Sequence, residues 1–323
     1  MTFRICHIGC GAMSVRGHGP ALMKYAADYP DTEISACCDV DYTRAVAFCD
    51  EFGFKRAYSD WKKMLEDEKP DAVSLVVPVD LTSGMSVEIL GLGFHLITEK
   101  PPGMTVEQCS AIVEASQRSD KNAGVMFNRR YMPLVKEMAE ILKGREVEYL
   151  RYDFYRTGRK DADFSTTAIH GIDTAQMLAG GIYSEMSFTY QPLKTTPVGN
   201  ILLSGITNKG TRVEMNFYPD SGMNAERSVI ISEGSTFFLN IPIWDCPDYP
   251  GSIMEYRNGV LVREIHGRMT DMFISSGFYD EHRDFYESVR SGGPSPADMT
   301  QHMRAVELME AIRYMKTEYR AKL

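Results

Sequence analysis

Five short apolar runs, each separated from the next by a segment with helical signals, occupy the first 127 residues of this chain and leave it few ways to fold. The runs are Arg4 to Ile8, Glu33 to Cys38, Asp71 to Pro78, Phe94 to Ile97 and Gly124 to Phe127. The third, Asp71-Ala-Val-Ser-Leu-Val-Val-Pro78, is apolar almost throughout, as a strand covered on both faces must be. Between the runs, Pro20 suits a first helical position, and Ser59 can cap a helix carrying Trp61, Met64 and Leu65. Gly91 and Gly93 close a fourth helical segment, and Thr105-Val-Glu-Gln108 forms a capping box ahead of Ile112 and Val113. Strand and helix in strict alternation predict a doubly wound parallel sheet.

After Arg130 the texture changes. A helix begins near Pro133, and Glu146 to Tyr155 alternates as a strand with one wet face does. Ser165 to Leu178 reads as a helix ended by Gly180 and Gly181, and several β-like runs follow, from Met186 to Ile265. Asn258-Gly259, set between two of these runs, is a hairpin signal. The tail returns to helix from about Tyr279 and again from Asp298, where Met299, Met303, Val306, Met309 and Ile312 mark a core-facing stripe. We therefore expect an α/β chain of two domains. Residues 1–127 form a dinucleotide-binding Rossmann sheet, and residues 128–323 form an α+β domain with a large, mostly antiparallel open sheet for substrate and self-association.

Composition narrows the partners. A net charge of −9 gives no basic footprint for nucleic acid. No stretch approaches the ~18 uninterrupted apolar residues of a membrane span, and no signal peptide opens the chain, so we expect a cytoplasmic protein with no membrane partner. Its seven cysteines include no C-x-x-C pair, which implies reduced thiols, no disulfide framework and no metal site.

Several residues carry chemistry. The first strand runs into Gly9-Cys-Gly-Ala-Met-Ser14, close to the G-x-G-x-x-G turn of dinucleotide sites, with serine in the third place. Asp39 ends the second strand, where a carboxylate bonds the adenosine ribose and repels a 2′-phosphate, so NAD is expected over NADP; the bland alternative is an aspartate capping the next helix, a task Asp41 or Thr43 would serve equally well. Phe94-His-Leu-Ile-Thr-Glu-Lys-Pro-Pro102 is a strand stopped by two prolines. Glu99 and Lys100 then lie just past the carboxyl edge, where open parallel sheets bind ligands. Lys100 there can stabilise an oxyanion or donate a proton, or it can simply form a loop salt bridge. His170 and Asp173 share a helix face and form either an acid–base pair or a structural one. Arg151, Arg156, Arg159 and Lys160 precede that helix and would suit an acidic sugar, or make a solvated basic edge.

Over almost its full length the chain resembles the glucose-fructose oxidoreductase, inositol dehydrogenase and MocA-like (Gfo/Idh/MocA) family. The matching pieces are the glycine turn, Asp39, Glu99-Lys-Pro101, Asn128-Arg-Arg-Tyr131 and His170-Gly-Ile-Asp173. The resemblance implies bound NAD or NADP contacted by Gly9, Gly11, Ala12, Met13, Asp39, Val77, Pro78, Glu99 and Lys100. It implies Lys100, His170 and Asp173 as catalytic residues, Lys100 lying near nicotinamide and substrate, His170 acting as acid or base, and Asp173 fixing the imidazole or a sugar hydroxyl. Arg129 and Arg156 join Lys100, His170 and Asp173 as expected substrate contacts. A dimer or tetramer is also implied.

Two departures stand out. Relatives often carry an aspartate four residues before the histidine, where this chain has Thr166, which leaves two alternatives, a less basic histidine or Asp163 reaching in from the loop. After Pro78 the chain reads Val79-Asp-Leu-Thr82, without the asparagine and histidine common there. The expected activity is hydride transfer between nicotinamide and a carbinol carbon of a sugar, cyclitol or related polyol. The alternatives are redox-neutral elimination or glycoside cleavage with tightly held NAD, and a non-catalytic NAD-binding regulator.

Overall fold

The computed structural model describes residues 2–161, 163–194, 197–295 and 297–321. Met1 and Leu323, the outer limits of the two expected domains, lie outside the described residues. The chain divides into two compact units, Met1–Asn128 with Met272–Met303, and Arg129–Asp271 with Arg304–Leu323.

The first unit is built on six parallel strands in the order β3-β2-β1-β4-β5-β6. They are β1 (Phe3–Ile8), β2 (Thr32–Cys38), β3 (Arg56–Tyr58), β4 (Ala72–Leu75), β5 (His95–Glu99) and β6 (Ala123–Met126). The connecting helices are α1 (Gly19–Asp28), α2 (Tyr42–Phe52), α3 (Trp61–Glu68), α4 (Val79–Gly91) and α5 (Val106–Ser119). Ile8 pairs with Cys38 and with Leu75, and Leu75 pairs with Thr98, so the carboxyl ends of the four central strands lie level. That register brings Gly9, Asp39, Val77 and Glu99 to one edge of one sheet.

Local chemistry sets most of the boundaries. Thr105 accepts the Gln108 N–H while Gln108 Oε1 accepts the Met104 N–H, a reciprocal cap at the start of α5. The cap of α3 is Asp60 rather than Ser59: its carboxylate accepts from the N–H groups of Lys62 and Lys63. The three-residue β3 has no periodicity to betray it. Helical winding begins before Pro20, as a π-helix over Ser14–His18 that leads into α1.

The first unit also takes back a late part of the chain. Helices α8 (Met272–Ser275) and α9 (Phe278–Ser291) fall in it, whereas sequence continuity placed them with the second domain. The cause is packing: Phe285 fills the space above Gly124, and Tyr286 stacks obliquely on Tyr25 and edge-on to Phe3.

The second unit carries a nine-stranded sheet, β14-β13-β12-β11-β7-β10-β9-β8-β15. Its strands are β7 (Val147–Tyr155), β8 (Tyr183–Gln191), β9 (Asn200–Thr207), β10 (Arg212–Tyr218), β11 (Ala225–Ser232), β12 (Ser235–Ile241), β13 (Ser252–Arg257), β14 (Val260–His266) and β15 (Glu318–Arg320). Every pairing is antiparallel except β7 with β10. The β13–β14 hairpin turns at Asn258 and Gly259, both at positive φ, as a primed turn requires. Helices α6 (Pro133–Leu142), α7 (Ser165–Ala179) and α10 (Met303–Arg313) complete the unit, with Met303 itself counted in the first. One face of β7 buries Leu150, Tyr152 and Phe154, the latter two with their rings against Gly171 of α7. The opposite face is aromatic and polar, with Tyr155 stacked on Tyr218 and Tyr149 bonded to Glu214. Among the described residues no helix is long and apolar enough to cross a membrane.

Candidate active site

The glycine turn is fixed by steric necessity. Gly9 has φ +93°, and a Cβ there would sit 1.9 Å from the Val76 carbonyl oxygen, so no other residue fits. A Cβ on Gly11 would meet nothing within 4 Å, which leaves open space above the second glycine, where a pyrophosphate needs backbone approach. Ala12 and Met13 follow as exposed residues. Ser14, in the third position, is fully buried, and its hydroxyl donates to the Gly9 carbonyl and lies 3.0 Å from His7 Nε2. Serine therefore does more than stay small: it braces the turn from inside.

Asp39 stands opposite this turn. Its Oδ2 accepts the Cys10 N–H and its Oδ1 the Asp41 N–H, both at 2.9 Å. Asp41 takes the helix-capping task, accepting from Thr43 and Arg44 at the start of α2. Arg44 Nη1 lies 3.6 Å from Asp39 Oδ1 on a half-exposed side chain, a cation that proximity in sequence did not flag. Half-buried Val77 and exposed Pro78 occupy the short link between β4 and α4. The shaped turn, the open space over Gly11 and the fixed carboxylate together fit a dinucleotide.

Glu99 is the last residue of β5 rather than the first beyond it. Its Oε2 accepts the Lys100 N–H at 2.9 Å, and its Oε1 lies 3.0 Å from Nε2 of the fully buried His18. Burial pushes the Glu99 carboxyl up, but His18 and Lys100 outweigh it and hold the group below its ordinary value.

In the second unit, α7 presents the half-buried His170. The glycine after it lets the helix settle on the sheet, since a Cβ on Gly171 would come within 2.9 to 3.3 Å of the Phe217, Tyr152 and Phe154 rings. Asp173 is fully buried, and both its oxygens are engaged by Arg130, Nε at 2.7 Å and Nη2 at 2.8 Å. Asp163 turns to the start of α7, where its Oδ1 accepts the Ser165 N–H, and its Oδ2 lies 3.4 Å from Arg313 Nε. Thr166 Oγ1 donates to the Asp163 carbonyl.

Arg129 and Arg156 converge on one buried carboxylate, Glu226, which Tyr152 also reaches from 2.6 Å. Burial raises the Glu226 carboxyl, but the two guanidiniums bring it down to about 2. Arg156 also lies 3.6 Å above the Phe154 ring. Both arginines thus have an internal partner from β11 that no local pattern announced. Arg159 pairs with Asp161 and donates to Thr167, and Arg151 pairs with Asp153, so with Arg156 on Glu226 three of the four basic side chains have acidic partners. Sequence reasoning also missed His7, His18 and His282. A histidine inside the apolar run of β1 and another just after the glycine turn were the available signals.

Residues 3–127 match the family described as Oxidoreductase family, NAD-binding Rossmann fold, Gfo/Idh/MocA. D-glucoside 3-dehydrogenase of Escherichia coli is 28% identical over 137 residues, 42% of this chain and 38% of that protein. Inositol 2-dehydrogenase 2 of Saccharopolyspora erythraea is 29% identical over 189 residues, 56% of this chain and 55% of its own length. These matches span about half or less of the curated relatives. A Gfo/Idh/MocA family oxidoreductase from Vibrio cholerae shares the fold over 97% of this chain and 98% of its own, with a TM-score of 0.82 at 18% identity. Over residues 3–127, the chain is thus similar to the NAD-binding Rossmann domain of the Gfo/Idh/MocA oxidoreductases.

Proposed function

We propose that this chain is an NAD-dependent dehydrogenase acting on a carbinol carbon of a sugar, cyclitol or related polyol. The observation that carries the reading is the glycine turn, closed under Val76 and joined to Asp39 through the Cys10 N–H. The sugar and inositol dehydrogenases among its relatives support the substrate class. Gly9, Gly11, Ala12 and Met13 hold the pyrophosphate, Asp39 the adenosine ribose, and Val77, Pro78, Glu99 and Lys100 the nicotinamide end. When bound, NAD supplies the hydride acceptor. Lys100 hydrogen-bonds the reacting oxygen and stabilises negative charge on it, and His170 takes the hydroxyl proton as the C–H bond breaks. Asp173, clamped by Arg130, supports the helix that presents His170. Arg129 and Arg156, gathered by Glu226, are the further substrate contacts in this reading.

NAD is preferred to NADP because the Asp39 carboxylate opposes a 2′-phosphate. Seven free cysteines accord with a cytoplasmic protein. Exposed Ile206 and Phe238 on strands of the large sheet support self-association as a dimer or tetramer, which light scattering would read directly. The test of function is a screen of sugars and cyclitols with NAD, following NADH absorbance. Steady NADH accumulation with one of them is the expected result, and product without NADH accumulation would replace the reading with redox-neutral chemistry.

A further inference from the structure

His18 and His282 are fully buried beside the strand end that carries Lys100, and the proposed reaction gives neither a task. His18 closes the π turn Ser14–His18, the first winding after the glycine turn. Such turns are rare and gather at functional sites, and one residue fewer here would swing His18 about 100° around the helix axis. Its flanks are set as tightly. A Cβ on Gly17 would come within 3.0 Å of the Phe278 ring, and one on Gly19 within 2.7 Å of the Phe52 ring, so glycine stands at both places although it is a poor helix former. The Phe278 ring also meets the imidazole edge-on, with centroids 4.9 Å apart. Packing on both sides thus holds this one side chain in one direction.

That direction is toward Glu99. Glu99 Oε2 accepts the Lys100 N–H at 2.9 Å, and Oε1 lies 3.0 Å from His18 Nε2. An ionised carboxylate can only accept, so the proton sits on His18 Nε2. Nδ1 of a neutral imidazole then accepts, and its partner 3.0 Å away is His282 Nε2, which must donate. Burial keeps His282 well below its ordinary value, hence neutral, and its Nδ1 accepts from the Tyr286 hydroxyl at 3.1 Å. Neutral rings satisfy each of these contacts, and each tautomer is fixed by the neighbour it meets.

We infer that His18 is a positioning residue for Lys100, acting through the Glu99 carboxylate, with His282 behind it fixing its tautomer. This role rests on the dehydrogenase reading for the task of Lys100, and on the hydrogen bonds for how Lys100 is held. Lys100 is the first residue past β5, and the direction in which its side chain leaves follows from the peptide plane whose N–H Glu99 holds. Glu99 keeps that N–H on one oxygen because its other oxygen is anchored, and the anchor is His18. Without the His18 donor the carboxylate is free to turn, and Lys100 loses its fixed direction while keeping its charge. The histidine that follows the glycine turn thereby ties the pyrophosphate end of the cofactor site to the strand end where the reacting oxygen is held.

Two variants separate positioning from packing. His18→Gln keeps an N–H donor at the reach of Nε2, whereas His18→Leu keeps bulk without any donor. With a sugar or cyclitol and NAD, His18→Leu should lower kcat by about 10- to 100-fold, as for a reacting group displaced by about an ångström, with substrate KM and NAD affinity little changed. His18→Gln should recover most of that loss. Equal kcat losses in the two variants, in step with their unfolding midpoints, would make His18 a packing residue and overturn the inference. The hold on Glu99 is read without turnover, by NMR of cofactor-free protein. Nitrogen-15 spectra should show His18 and His282 each protonated on Nε2 alone, and carbon-13 spectra should show the Glu99 carboxyl titrating higher in His18→Leu than in wild type. A proton on Nδ1 of either ring, or a Glu99 titration unmoved in His18→Leu, would overturn the inference whatever the substrate. The expected spectra in a protein that oxidises none of the compounds would support the hold and count against the dehydrogenase reading alone.

Discussion

Arg130 holds Asp173 by both carboxylate oxygens, with Nε and Nη2 at 2.7 and 2.8 Å in a buried fork. The aspartate that shares a helix face with His170 is thereby anchored to the segment just after β6, and α7 is pinned at its middle. Burial works against the Arg130 charge, but Asp173 more than compensates and raises it. Removing one partner of such a pair leaves an uncompensated buried charge, at a cost of about 3–5 kcal/mol. Asp173→Ala should therefore shift the denaturant midpoint strongly downward. The double variant Asp173→Ala with Arg130→Met should recover part of the loss. An Asp173→Ala protein of unchanged stability but lost turnover would make the residue purely chemical.

Cofactor choice rests on Asp39, whose carboxylate is oriented by the Cys10 and Asp41 N–H groups. Its charge opposes a 2′-phosphate, while Arg44, 3.6 Å away, would welcome one once the carboxylate is gone. Titration should show NAD binding more tightly than NADP in the wild type. Asp39→Ala should narrow or reverse that gap, and adding Arg44→Ala should weaken NADP again. Tighter NADP binding by the wild type, tenfold or more, would contradict the assignment.

Acid should destabilise the protein in two steps, the first through histidines of the first unit and the second through a carboxylate of the second. His7 falls from its ordinary 6.5 to about 3, chiefly through burial and then through the His18 charge, and His282 is lowered for the same reasons. Both are neutral when folded and take up protons when unfolded. The unfolded chain therefore binds more protons below pH 6.5, and stability falls as pH drops through that window, by about 1.4 kcal/mol per pH unit for each such group. Glu226, ordinarily 4.5 and lowered to about 2, adds its own loss only as pH falls below 4.5. Unfolding free energies measured from pH 7.5 down to about 4.5 should thus decline before any carboxylate of ordinary value titrates. A flat profile across that range would show that the histidines are solvated.

What could be read from the sequence was local. Gly9, Asp39, the cap at Thr105 and Gln108, and the Asn258-Gly259 turn each announce themselves within a few residues, because turns and caps are set by nearby sterics and hydrogen bonds. Ser59 and Asp60 stand side by side and both residue types accept amide protons equally well, so the α3 cap falls one residue later than the sequence predicts. The three-residue strands β3 and β15 are too short to show alternation. The assignment of α9 to the first unit depends on Phe285 meeting Gly124, which no window of sequence contains. The buried polar partners are more distant still. His18 and Glu99 are 81 residues apart, Arg156 and Glu226 are 70, and His18 and His282 are 264. Histidine patterns alone could mark these groups as odd but could not pair them.

Lys100 and His170 carry the chemistry proposed above, one at the end of β5 and one on α7 in the other unit. Lys100→Met removes the charge that stabilises the reacting oxygen and leaves the backbone N–H that bonds Glu99 in place. His170→Ala removes the proton acceptor while Gly171, which sets how closely α7 lies on the sheet, is untouched. Loss of one positioned acid–base group costs ~100- to 10,000-fold in rate. Each variant should therefore lose turnover by that order while keeping wild-type unfolding midpoints and NAD affinity, the latter measured by calorimetry without substrate. Thr166→Ala should cost less, because its hydroxyl only bonds the Asp163 carbonyl. Near-normal turnover in His170→Ala would move the proton to another group, with Asp163 or Asp173 next in line. A variant that lost stability along with turnover would instead make the histidine a structural residue of α7.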